Sequence, residues 1–179
     1  FLSEALLSLD SQTYKDFKTI IVLDECWDET KSMLEAIEMN INFSVIERDK
    51  KEGLAYAKNY GLSFVDTEYI AFLDADDLYE PTKLEKQVNF IKDNDVDFLG
   101  THASNINTSR REIKTPSCFD VNSYNKHEEI VNKLLHENCL THGSMLIKME
   151  ALKELGYYNH VVGAEDWDLW KRAAKAGYK

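Results

Sequence analysis

Tyr69-Ile70-Ala71-Phe72-Leu73-Asp74-Ala75-Asp76-Asp77 joins the most apolar segment of the chain directly to a run of acids. A short apolar run bounded by polar residues suits a strand buried in a parallel sheet. In open α/β sheets, ligands collect outside the carboxyl ends of the strands. The acidic run occupies such an end. Where the backbone is extended, positions i and i+2 point the same way. Asp74 and Asp76 are therefore expected to converge on one cation, with Asp77 supporting the loop. Carboxylates this close repel one another unless a cation or a donor hydroxyl lies between them. Oxygen ligands of this kind suit Mg or Mn. The plain alternative is a solvated acidic turn, or a helix N-terminal cluster favoured by the dipole. The apolar strand leading into the run weighs against it.

The flanks extend the pattern. A helical face carries Leu2, Leu6, Leu7 and Leu9, and residues 12–16 form a polar break. Residues 18–23 (KTIIVL) read as a strand buried on both faces, ending in Asp24-Glu25. Asp28 stands at the N-cap of a helix over residues 29–39. Residues 42–47 (NFSVIE) form a second strand, residues 53–64 a helix, and residues 69–73 the third strand. Pro81 is expected in the first turn of a helix that carries Leu84, Val88 and Ile91. Residues 97–102 form a fourth strand and residues 103–120 a loop or hairpin region. A helix over 123–135, a strand over 144–147 and a helix over 165–176 complete the chain. Alternating strands and helices through the first hundred residues define a parallel α/β sheet with right-handed crossovers.

Composition bounds the function. The chain has 179 residues, 44% of them hydrophobic, which suits one globular domain with a sizeable core. Its formal charge of −11 argues against nucleic acid or anionic lipid as a partner bound through net charge. A phosphate-bearing ligand stays compatible, because a metal ion locally reverses the field. Cys26, Cys118 and Cys139 are scattered and form no CxxC pair, so they read as reduced thiols filling core. No apolar stretch approaches the ~20 residues of a membrane span, and no signal peptide is visible. The expected location is the cytoplasm, free or at the cytoplasmic face of the membrane. The chain opens at Phe1 inside a helical pattern and closes just after another helix, so a fragment of a longer protein is expected.

Two other motifs fit the acidic run less well. As an EF-hand loop starting at Asp74, Glu85 falls at the twelfth position, but Tyr79 stands where Gly is needed and Pro81 interrupts. The run also resembles the DxDx[TV] motif of haloacid dehalogenase-like phosphatases, with Asp74 as nucleophile and Asp76 as acid. There Leu78 replaces the Thr or Val, and the motif falls mid-chain after two α/β units.

Five segments in order resemble the inverting glycosyltransferases of family 2, which have the GT-A fold. Ser11-Gln12-Thr13-Tyr14-Lys15-Asp16-Phe17 is similar to the family's QTY-x-(D/N)-(F/W) stretch. Val22-Leu23-Asp24-Glu25-Cys26-Trp27-Asp28-Glu29-Thr30 resembles its V-D-D-G-S-x-D-x-T segment, with Leu23, Glu25 and Cys26 departing from it. Gly53-Leu54-Ala55-Tyr56-Ala57-Lys58-Asn59-Tyr60-Gly61 resembles its G-x-x-x-A-R-N-x-G helix. In that helix Lys58 replaces Arg and gives up the bidentate fork, and upstream Lys51 stands where Asn is common. Asp74-Ala75-Asp76-Asp77 is similar to the DxD motif, and Gly163-Ala164-Glu165-Asp166-Trp167-Asp168-Leu169-Trp170 to the E-D-x-(D/E)-L segment.

The resemblance implies an α/β fold of GT-A type: a Rossmann-like, mostly parallel sheet flanked by helices, N-terminally truncated because the family's usual first strand precedes these motifs. Residues 1–104 would form the nucleotide-sugar-binding half and residues 105–179 the acceptor-side half. The implied roles are Asp166 as catalytic base, Asp24, Lys58 and Asp74 as donor contacts, and Asp76 as metal ligand. Glu165, His142 and Trp167 are acceptor-side candidates, although Trp167 also reads as packing. The implied cofactor is Mg or Mn. The implied partners are a nucleotide-sugar donor, UDP-linked by expectation, and a glycan, lipid-linked or other hydroxyl acceptor. The implied setting is cell-surface polysaccharide or glycoconjugate synthesis. A domain that binds nucleotide sugar without catalysis is the remaining alternative.

Overall fold

A computed structural model describes residues 1–25, 28–113 and 126–179, with Asp28 by its backbone alone. In chain order the elements are α1 (Leu2–Asp10), β1 (Thr19–Asp24), α2 (Asp28–Ala36), β2 (Phe43–Arg48), α3 (Leu54–Leu62), β3 (Tyr69–Ala71) and α4 (Lys83–Asp93). There follow β4 (Phe98–Leu99), β5 (Asn105–Ile106), β6 (Glu112–Ile113), α5 (His127–Leu134), β7 (Leu146–Lys148), α6 (Met149–Glu154) and α7 (Glu165–Ala176).

β1 and β2 pair in parallel, Thr19 opposite Phe43 and Asp24 opposite Arg48. The α2 crossover between them is the expected α/β unit. β7 breaks the pattern: it runs antiparallel between β3 and β4, with Ile147 facing Ile70 on one side and Phe98 on the other. A strand from late in the sequence therefore holds two early strands together. β5 and β6 form a separate hairpin within the region expected to be loop or hairpin.

Apolar residues gather in two clusters. Leu6 and Leu9 of α1 meet Ile21 and Leu23 of β1, together with Leu34, Ile41, Tyr79 and Leu84. The other cluster unites Leu62, Leu134, Met145, Ile147, Leu152, Tyr158, Leu169 and Trp170. Cys139 belongs to it as a buried free thiol, the core role read from the sequence. Gly61 sets the spacing of α3 against β1, since a Cβ there would stand 2.9 Å from Val22 Cγ2. Gly61→Ala is expected to destabilise the protein. The overpacking cost of about 1–3 kcal/mol outweighs the helix-propensity gain of about 1 kcal/mol, and a lower melting temperature is the check.

Several sequence expectations need correction. Residues 18–23 are not buried on both faces: in β1 only Ile21 and Leu23 are buried, and β2 is the ladder partner among the described residues. Pro81 lies outside the first turn of α4, whose N-cap is Thr82. Its carbonyl instead accepts the Thr13 N–H at 2.9 Å. Gln12, placed in a polar break, is fully buried. Its amide donates to the Ser8 and Glu80 carbonyls, and its oxygen accepts the Leu84 N–H. Gln12 thus ties the end of α1 to the loop beyond the acidic run. Helix α6 was not anticipated, because it starts directly at the end of β7 with no breaker between them. Cys26, Trp27, Cys118 and the expected helix start at residue 123 lie outside the described residues, as does the Asp28 side chain.

Candidate functional site

The acidic run is a turn, not an extension of the strand. β3 stops at Ala71, and the Asp77 N–H closes back on the Asp74 carbonyl at 3.1 Å. Strand alternation therefore does not align Asp74 with Asp76. The turn is braced from behind by Tyr79, whose buried hydroxyl donates to the Phe72 carbonyl and whose N–H donates to Ser8 Oγ at 3.1 Å. The ammonium of Lys83 lies 3.9 Å from the centre of the Tyr79 ring and donates to Gln87 Oε1. Burial pushes the Lys83 pKa down to about 7.

Because β7 is antiparallel to β3, the residues entering β7 lie beside the residues leaving β3. This brings the short 3₁₀ turn His142–Ser144 against the acids. Gly143 makes the approach possible: a Cβ there would sit 3.2 Å from Asp77 Oδ2 and 3.9 Å from Asp74 Oδ2. His142 is buried, and its Nε2 is 2.8 Å from the Tyr158 hydroxyl. Burial, then the nearby Lys58 charge, push the His142 pKa down to about 3, so its ring is neutral at ordinary pH. His142 Nδ1 is buried with no hydrogen-bond partner among the described residues.

The same end of the sheet receives the start of α7. Asn59 of α3 grips the backbone of Tyr158 with two bonds, donating to its carbonyl and accepting its N–H. Six residues after Asn159 the chain enters α7 at Glu165. Lys58, next to Asn59, donates to Glu165 Oε1 at 2.8 Å, and both side chains are almost completely buried. Asp166 follows, its Oδ2 accepting from Asn138 Nδ2 at 3.0 Å and its Oδ1 from the Trp167 N–H at 2.6 Å. Trp167 is half-buried against the larger core. Its ring N–H donates to the Leu134 carbonyl and its face carries the Lys171 ammonium.

Electrostatics tie these groups into one site. Loss of solvent raises the Asp74 pKa, Lys58 opposes that rise, and Asp76, Asp166 and Glu165 add to it. Asp77 is raised by loss of solvent and then by Asp74 and Asp76. The Tyr158 phenol is pushed well above its ordinary value by burial, then by Asp166, Glu165 and Asp74. Asp74, Asp76, Glu165, Asp166, Lys58 and His142 thus share one neighbourhood. Asp24 stands apart at the end of β1, its Oδ1 accepting from Arg48 NH1 at 2.9 Å.

The residues fit a divalent ion. Asp74 and Asp77 are held above the usual carboxylate range by lost solvent first and by neighbouring carboxylates second, and a cation among these acids would relieve that repulsion. Among the described residues no three His, Cys, Asp or Glu side chains form a ready-made cage. Mg-like ions seldom need one, since they are held by one or two carboxylates plus substrate phosphates.

Sequence reasoning missed Asn138, Arg48, Gly143 and Tyr158 as parts of these arrangements. Asn59 was quoted with its helix, and an amide there has a donor and an acceptor to satisfy, which Tyr158 does through its backbone.

The chain belongs to glycosyl transferase family 2, whose family model matches residues 1–156. It is 32% identical to an uncharacterized glycosyltransferase of Methanocaldococcus jannaschii, over 100% of this chain and 61% of that protein. It is 31% identical to the O-antigen biosynthesis glycosyltransferase WbnJ of Escherichia coli, over 93% of this chain and 65% of WbnJ. The chain therefore spans a little under two thirds of the length of these relatives. Its fold matches S. aureus TarS in complex with UDP-GlcNAc, with a TM-score of 0.76 at 21% identity, covering 97% of this chain and 49% of that one. It also matches the mannosyltransferase PcManGT from Pyrobaculum calidifontis in complex with GDP-Man and Mn2+, with a TM-score of 0.71 at 21% identity, covering 99% and 49%. The fold is the GT-A type expected from the sequence. Family membership removes the phosphatase reading of the acidic run.

Proposed function

We propose that the protein transfers a sugar, with inversion and with the help of Mg or Mn, from a nucleoside-diphosphate sugar to a hydroxyl acceptor. The observation that carries this reading is the coupling of the acidic turn to the start of α7. Lys58 fastens Glu165 at the start of α7 with a 2.8 Å ion pair, Gly143 lets the turn before β7 approach Asp77, and the Asp74 carboxyl, raised first by lost solvent, is raised further by Asp76 and Asp166. A donor-side acid group and a candidate base then face one reaction centre.

Inversion needs a single in-line displacement at the anomeric carbon. Asp166 takes the proton of the acceptor hydroxyl as the new C–O bond forms, and the nucleoside diphosphate leaves with the old bond's electrons. Asn138 and the Trp167 N–H hold the Asp166 carboxylate in place. Asp76 would hold the metal, with Asp74 on the ribose side of the donor and Asp24 on the base. When bound, the ion neutralises charge on the leaving diphosphate. Lys58 holds Glu165 and moderates the charge around Asp74. His142 is a neutral side chain with one uncommitted ring nitrogen, suited to a donor or acceptor hydroxyl. Trp167 would act on the acceptor side through the packing it provides. Residues 1–104 would supply the donor half and residues 105–179 the acceptor half.

UDP is the proposed carrier, in line with the UDP-GlcNAc complex of TarS. A role in cell-surface polysaccharide or glycoconjugate synthesis follows the names of WbnJ and of the amylovoran biosynthesis glycosyltransferase AmsB of Erwinia amylovora. Among the described residues no helix is long and apolar enough to cross a membrane. The proposed location is cytoplasmic, including the cytoplasmic face of the membrane, where lipid-linked acceptors are available.

Asp76→Ala in the full-length protein is expected to abolish transfer and to remove the Mn dependence of UDP binding, measured by calorimetry with and without the ion. Transfer at the wild-type rate in this variant would overturn the site assignment. Metal-dependent nucleotide binding by the wild type without transfer to any hydroxyl acceptor would favour a non-catalytic binding domain.

A further inference from the structure

The mechanism above uses Asp24 but gives no part to its ion-pair partner Arg48. Asp24 and Arg48 are the last residues of β1 and β2 and face each other in register. Arg48 is the more deeply placed, with its side chain 8% exposed against 22% for Asp24. One arm of its guanidinium donates to Asp24 Oδ1 at 2.9 Å and the other to Glu52 Oε2 at 2.8 Å. The guanidinium carbon lies 5.9 Å from the centre of the Tyr60 ring. A buried ion pair is weak evidence of a purely stabilising role, because desolvation offsets most of the attraction. The fork does fix which Asp24 oxygen the guanidinium stands against.

We propose that Arg48 sets the choice of nucleotide base, favouring uracil over guanine by holding a cationic donor against one oxygen of Asp24. This rests on the reading of Asp24 as the base contact. Guanine offers a carboxylate two parallel N–H groups, its ring N1–H and its exocyclic amino group, and both carboxylate oxygens are needed to receive them. Uracil offers one N–H flanked by carbonyl oxygens. Oδ1 keeps a second lone pair, but a cationic donor already stands against it, so the edge presented at the end of β1 is one open acceptor, Asp24 Oδ2, beside an oxygen shared with a guanidinium. That edge matches the uracil N3–H and an adjacent carbonyl. Guanine in the same place has to bring its amino group, a second donor, to the oxygen that the guanidinium already holds. Adenine and cytosine present no ring N–H to the carboxylate. Removing Arg48 takes away that competing donor and leaves both oxygens open to guanine.

The test is calorimetric titration of the full-length protein with UDP and with GDP, in the presence of Mn. The wild type is expected to bind UDP more tightly than GDP by about tenfold, the effect of one hydrogen bond lost to a competing donor. In Arg48→Met the preference should fall to about threefold or less, through weaker UDP and stronger GDP binding. Arg48→Lys keeps the positive charge between Asp24 and Glu52 but loses the fork, so it carries the comparison if the Met variant does not fold, with an expected fall in preference of about threefold. A ratio unchanged in the folded variant would show a structural role only and overturn the proposal, as would a wild-type preference for GDP. Failure of the wild type to bind either nucleotide would instead overturn the donor-site reading itself. Asp24→Asn separates the two levels: UDP binding unaffected by it removes Asp24 as the base contact and the role of Arg48 with it.

Discussion

Asp166→Asn in the full-length protein is expected to lower the turnover of sugar transfer by about 10²–10⁴-fold, the usual contribution of a positioned general base, while nucleotide binding persists. The geometry makes this substitution informative. The carboxylate accepts from Asn138 Nδ2 and from the Trp167 N–H, so an amide of the same shape keeps the Trp167 bond through its remaining oxygen. The start of α7 should stay folded while the side chain loses its capacity to accept a proton. Steady-state kinetics would show the loss in kcat with little change in KM for the donor. Wild-type turnover in this variant would remove Asp166 as the base.

The second large effect is expected at Lys58. Its ammonium and the Glu165 carboxylate are 2.8 Å apart, with side chains only 10% and 8% exposed. Lys58→Met leaves Glu165 as an uncompensated buried charge, a change that costs about 3–5 kcal/mol. Chemical denaturation of the full-length protein is the check, and adding Glu165→Met should return most of the loss, because a buried pair is replaceable by apolar side chains. The single variant should also weaken metal-dependent UDP binding, since Lys58 is the group that opposes the rise of the Asp74 pKa. Stability unchanged in Lys58→Met would show that the pair is solvated in solution.

What the sequence disclosed depended on how local each determinant is. Helix α7 matches its expected bounds, because acids open it, an apolar stripe runs along it and Gly177 closes it at a φ of 84°. The parallel β1–β2 unit was equally legible from alternating apolar and amphipathic segments. The shape of the acidic run was not. Whether Leu73-Asp74 continues a strand or enters a turn is decided by Tyr79 and Gln12, which fasten the following loop to α1. The approach of Gly143 to Asp77 depends on an antiparallel pairing between β3 and β7, far apart in the chain. Asn138 and Arg48 are ordinary polar residues in sequence and gain meaning only from Asp166 and Asp24. The family resemblance supplied roles for individual acids, whereas the side chains that orient those acids had no local pattern to betray them.

The placement of β7 also constrains how this protein can diversify. Its ladder to β3 fixes Gly143 beside Asp77 independently of how much chain lies between Leu99 and Thr141. Length changes in the turn between β5 and β6 can be absorbed before the strand begins, whereas Leu134 and Asn138 of the same interval hold Trp167 and Asp166 and have to keep their places. A one-residue shift within β7 is different in kind. It would displace His142 and Gly143 by about 3.3 Å and turn the Ile147 face outward. The turn of the β5–β6 hairpin is thus open to length variation, while the three residues of β7 form a reading frame that has to be kept.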